Sequence, residues 1–77
     1  MKKLYLVHGS EDGTLGIFSN VKRAYERAIQ YGDDVASSDR KVESYAKVCK
    51  ALKRSYLAYV VESSYAESQI EMFYLNQ

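Results

Sequence analysis

The sequence has no proline and no tryptophan, a single cysteine, a single histidine and almost no net charge. One cysteine, Cys49, excludes an internal disulfide, and with one histidine beside it there is no Cys/His cluster to hold zinc. A formal net charge of +1 gives no global attraction to nucleic acid or to an anionic membrane surface. No apolar run approaches the ~20 residues of a membrane-spanning helix. The two N-terminal lysines precede only a short apolar stretch without a cleavage-like site, so no signal peptide is expected. The absence of proline and tryptophan decides little. What is left is one domain of 77 residues, expected in a reducing cytoplasm. A core of this size typically supplies only ~3–5 kcal/mol, and with neither disulfide nor metal in reach, a partner subunit is the remaining way to add to it.

The chain is organised around residues 2–32, which read as strand, tight turn, strand and capped helix. Residues 3–8, Lys-Leu-Tyr-Leu-Val-His, carry the aliphatic, β-branched and aromatic side chains that suit a pleated surface. Gly9 to Gly13 concentrates turn formers, and Asp12-Gly13 is a hairpin dipeptide because both residues tolerate positive φ. Leu15–Phe18 is the returning strand. Ser19 or Asn20 can cap a helix that places Val21, Ala24, Tyr25, Ala28, Ile29 and Tyr31 on one side and Lys22, Arg23, Glu26, Arg27 and Gln30 on the other. Gly32 stands where a left-handed C-terminal residue is wanted.

Residues 33–39 form a polar connection, and Ser38 or Asp39 can cap a second helix from about Arg40 to Arg54. Its wheel gathers Val42, Tyr45, Ala46, Cys49 and Leu52 on one face, with Arg40, Glu43, Lys47, Lys50 and Arg54 opposite. Lys53 intrudes on the apolar sector, where a lysine can snorkel and meet the negative end of the helix dipole. Residues 56–61 and Gln69–Leu75 read as strands three and four, separated by a serine-rich loop. The expected fold is therefore α+β, in the order ββααββ, with a four-stranded, mainly antiparallel sheet and both helices on one face. Neither face of the strands is polar, so covering one leaves an apolar, tyrosine-bearing patch on the other. We assign Tyr5, Val7, Tyr59 and Phe73 to that interface and expect a homodimer or a docked partner there.

No catalytic constellation stands out. His8, Ser10 and Asp12 are too close together around a turn to hold a base in one tautomer against a nucleophile. Glu11, Asp12, Asp33 and Asp34 match no calcium loop and suit turns and caps. Gly9, Gly13 and Gly16 lead into a strand rather than a helix, unlike a phosphate cradle. Cys49 lies on the apolar stripe of the second helix and reads as a small hydrophobe. No enzyme, cofactor or metal is expected. The electrostatic feature is asymmetry: residues 1–54 carry a net +4 and residues 55–77 a net −3, with six of the eleven basic residues between Arg40 and Arg54. Arg40, Lys47, Lys50 and Arg54 on one helix face are the candidate partner-binding residues, for phosphates or for an acidic protein. Nucleic acid would require tyrosines beside these cations as stacking platforms. The tyrosines belong mostly to strands and buried stripes, so a protein partner is favoured.

The stretch YLVHGSEDGTLGIFSNVKRAYERAIQYG, followed by SYAKVCKALKRS and the closing QIEMFYLN, resembles short α/β proteins of tailed-phage genomes. The shared pattern is a hairpin ending in an aromatic, Ser-Asn before a helix that opens with Lys and Ala, and a last strand ending in Leu-Asn. It spans most of the chain and carries no active site, so it transfers no functional residues. The resemblance implies host takeover or interference with host defence, including anti-CRISPR-like inhibition, by stoichiometric binding. The expectation is thus a non-enzymatic, homodimeric interaction protein that binds a host protein in the host cytoplasm. Its rivals are a binder of a nucleotide signal and a small nucleic-acid-binding regulator.

Overall fold

The computed structural model describes residues 2–35 and 39–76. The elements run β1 (Lys2–Gly9), β2 (Gly13–Phe18), α1 (Val21–Val35), β3 (Lys41–Val42), α2 (Tyr45–Ser55), β4 (Leu57–Glu62) and β5 (Ser68–Leu75). They form one antiparallel sheet in the order β2-β1-β5-β4-β3. The fold is α+β as expected, but with five strands rather than four and in the order ββαβαββ. The two hairpins join in the middle through the first and last strands, β1 and β5, paired over all eight of their residues from Lys2↔Leu75 to Gly9↔Ser68.

Local chemistry accounts for the elements. Gly13 takes φ 78, the left-handed conformation that closes the β1–β2 turn. Asn20 caps α1, its side-chain oxygen accepting from the N–H groups of Lys22 and Arg23 at 2.8 and 3.2 Å. The extra strand corrects the start of α2. Lys41 and Val42 pair with Glu62 and Val61, and the Glu43 N–H donates to the Val60 carbonyl at 2.8 Å. The chain is thus held extended until Ser44, whose hydroxyl accepts from the Lys47 N–H and caps the helix. Asp39 lies before that strand, and Ser38, the other proposed cap, lies outside the described residues.

Both helices cover one face. Tyr5 and Val7 from β1, Ala58 and Val60 from β4 and Ile70 and Met72 from β5 pack against Ala24 and Ala28 of α1 and Val48 and Leu52 of α2. An extra residue in β4 between Tyr59 and Val61 turns Val60 and Val61 to the same side. The one fully buried polar side chain named among the core residues, Ser68, donates to the Ala28 carbonyl at 3.1 Å, so its hydroxyl is satisfied.

Gly32 is not a helix terminus but lies inside α1, pressed against β4. A Cβ there would stand 2.7 Å from Val61 Cγ2 and 2.8 Å from Cγ1. Gly32→Ala gains up to ~1 kcal/mol of helix propensity but overpacks a closed core at a cost of ~1–3 kcal/mol. We expect a net loss of about 1 kcal/mol in urea unfolding, turning into a gain when Val61→Ala supplies the room.

Candidate functional site

The free surface of α2 is made by its own periodicity. Val48 and Leu52 point into the core, which leaves Lys47, Lys50, Lys53 and Arg54 in solvent. None of these four forms an ion pair with a described residue. Lys53 and Arg54 sit in the last turn, where the carbonyl end of the helix favours cations. Arg40 does not share this face. It precedes β3, and its guanidinium reaches Asp33 of α1 at 3.3 Å, both partners being solvent-exposed. The wheel had placed it on a helix that starts later.

α2 ends on Tyr56, the one non-glycine residue with positive φ (63) among the described residues. Its N–H donates to the Leu52 carbonyl at 3.0 Å and its own carbonyl accepts from the Met72 N–H at 2.8 Å, so the strained residue is held from both sides. That geometry turns the ring outward, 54% exposed, edge-on to Tyr74 with centroids 6.4 Å apart. Lys3 Nζ lies 6.0 Å from the Tyr74 centroid. Beside this pair opens a notch of about 90 Å³, floored by Tyr5, Val21, Leu52 and Met72 with Cys49 at its side and Lys3 and Lys53 also in its lining. The lining includes no acidic residue.

Behind the notch the helices are locked by aromatics. Tyr25 and Tyr45 meet edge-to-face at 5.3 Å, Lys22 Nζ lies 5.5 Å from the Tyr45 centroid, and the Tyr25 hydroxyl donates to the Glu43 carbonyl at 2.7 Å. Desolvation, then the hydrogen bond with the Cys49 thiol, pushes the Tyr45 phenol above its ordinary value, so the ring stays neutral across the physiological range.

The four residues assigned to one sheet face are divided. Tyr5 and Val7 turn inward under the helices, 8% and 0% exposed, whereas Tyr59 and Phe73 stand on the opposite, uncovered face. Both sides of β1 are apolar, and only the placement of α1 decides which is core. His8 also lies on the uncovered side, while Ser10 is tied to the β5 side, its hydroxyl accepting from the Glu67 N–H at 2.8 Å and its N–H donating to the Glu67 carbonyl at 2.9 Å. Among the described residues no group of three or more His, Cys, Asp or Glu could hold a metal ion. Nor is any helix long and apolar enough to cross a membrane.

The sequence singled out Lys47, Lys50 and Arg54 but not Lys3, Tyr56 or Tyr74. The intrusion of Lys53 on the apolar sector was the one visible sign that this end of α2 borders an opening. Comparison with protein-family models, curated proteins and solved structures finds no match.

Proposed function

We propose that this chain is a non-enzymatic binding protein that docks an acidic protein segment on the free face of α2, setting one apolar side chain of the partner into the notch. The observation that carries the reading is the quartet Lys47, Lys50, Lys53 and Arg54, none of them paired with an acidic group among the described residues, beside an apolar recess bordered by Lys3 and Lys53. An acidic partner satisfies the rim, and a leucine-sized side chain suits the floor. At about 90 Å³ the notch is far below the ~300–1,000 Å³ of small-molecule sites, which argues against a nucleotide in the notch. Tailed-phage resemblance gives this binding its role: a small protein that occupies a host protein stoichiometrically in the host cytoplasm and blocks or modulates it. It works there as a homodimer.

A second reading is favoured by one observation. The exposed Tyr56–Tyr74 pair stands next to the cations, the arrangement single-stranded nucleic acid uses for stacking and phosphate contact. Fluorescence anisotropy separates the two with a labelled peptide of alternating Glu and Leu and a labelled twelve-nucleotide oligo-dT, each titrated at low and physiological salt. We expect the peptide to bind and Lys47→Glu/Lys50→Glu to weaken it at least tenfold, with the fold intact because both side chains are exposed. Tighter binding of oligo-dT with a steep salt dependence would install the second reading. Binding of neither probe would overturn both.

A further inference from the structure

The notch beside α2 combines an apolar floor with a positive rim. Tyr5, Val21, Leu52 and Met72 make the floor, and a volume of about 90 Å³ admits one side chain. Two cations belong to the same lining, Lys3 from β1 and Lys53 from the last turn of α2. Both are exposed, and neither has an ion pair with a described residue. The Tyr74 ring, its centroid 6.0 Å from Lys3 Nζ, keeps that ammonium at the rim. α1 starts in the wall, at Val21, and has no acidic residue in its first turn to offset the positive end of its dipole. An occupant must therefore present an apolar group and a negative charge at one point.

Given docking on α2 as proposed above, we infer that the notch takes the free C-terminus of the partner chain. The last side chain, of leucine size, fills the floor, and the α-carboxylate is held between Lys3 and Lys53. Within a chain the two groups do not meet so closely. In an extended segment the neighbours of an inward leucine point to the opposite side, so an adjacent glutamate faces away from the rim. In a helix the acid that shares a face with a leucine stands three or four residues away, beyond a recess one side chain wide. In the last residue of a chain, side chain and carboxylate leave the same Cα. Lysine contacts to a carboxylate are charge-assisted and short, and capture of a terminal carboxylate is a recurring way to read a peptide.

The remaining cations set what precedes that residue. Lys53, Lys50 and Lys47 follow one another up α2 in three-residue steps of ~4.5 Å. A chain that ends in the notch passes Lys50 and Lys47 on its way there. Acidic residues at alternate positions before the terminal leucine turn towards that surface. The ligand class is thus an acidic tail ending in a free apolar residue.

Fluorescence anisotropy with an N-terminally labelled peptide, Ser-Glu-Ser-Glu-Ser-Leu, tests this when the peptide is made both as the free acid and as the C-terminal amide. The two differ in the charge at their end. The acid is expected to bind at least tenfold tighter than the amide. In Lys3→Gln/Lys53→Gln the preference should fall below twofold, with the fold intact because both side chains are exposed. In Lys47→Gln/Lys50→Gln both forms should weaken together and the preference persist. Equal binding of acid and amide, or binding of an amidated peptide of alternating Glu and Leu alone, overturns the C-terminal assignment and leaves docking of an acidic segment standing. A preference that survives Lys3→Gln/Lys53→Gln overturns the notch as the seat of the carboxylate. Binding of none of the three peptides overturns the docking reading itself.

Discussion

Ile70→Ala is expected to unfold a large share of the protein at 25 °C. Ile70 is fully buried at the centre of β5, paired with Val7 on one side and Ala58 on the other, beneath both helices. Truncating a buried isoleucine costs ~2–5 kcal/mol, transfer free energy plus the cavity left behind. A core of this size typically provides ~3–5 kcal/mol in all, so the loss is comparable to the whole. Ile17→Ala removes the same atoms from a side chain that is 58% exposed and should cost under ~1 kcal/mol at concentrations where the chain is monomeric. Urea unfolding followed by circular dichroism gives both values. Equal losses at the two positions would mean that the helices do not cover the face to which Ile70 belongs.

The same two isoleucines mark how far the sequence could be read. Four strands and the first helix follow from local pattern: alternating apolar residues, Asp12-Gly13 and Asn20 each specify what happens within a few residues. β3 does not, because a two-residue strand has no period, and Val42 completes an apolar helical stripe as well as it fits a pleat. Its pairing to Val61 and the Glu43–Val60 hydrogen bond are contacts across 19 and 17 residues. They moved the helix start to Ser44 and took Arg40 off the basic face. Sidedness was hidden for a different reason. Leu4 and Leu6 alternate with Tyr5 and Val7, and hydrophobicity cannot rank one pair above the other; the choice depends on where α1 lands. The cations of α2 were legible as a cluster. That Lys3, Tyr56 and Tyr74 join them was not, since it needs β1 beside β5 and a tyrosine in a left-handed conformation at the end of α2.

Gly9→Ala is expected to cost ~2–3 kcal/mol, from crowding rather than from backbone conformation. In sequence Gly9 looks like the first of the turn residues, yet it is the last residue of β1 and, unlike Gly13, has no positive φ. Its role is room. The Tyr31 ring of α1 lies over it, and a Cβ would stand 2.5 Å from Tyr31 Cζ, 2.7 Å from Cε2 and 2.8 Å from Cε1. The ring cannot move aside freely, for it is 3% exposed and its hydroxyl accepts from the Glu11 N–H at 2.8 Å. Displacing it breaks that hydrogen bond, opens the packing of α1 on β1 and releases the turn together. A cycle with Tyr31→Leu isolates the cause. Leucine lacks the three ring atoms in question, so Gly9→Ala should become nearly neutral in that background, giving a coupling above ~1 kcal/mol. Additivity within ~0.5 kcal/mol would instead place the cost in the strand itself. The coupled outcome ties the hairpin to α1 through one contact between a residue without a side chain and the tyrosine that takes its place.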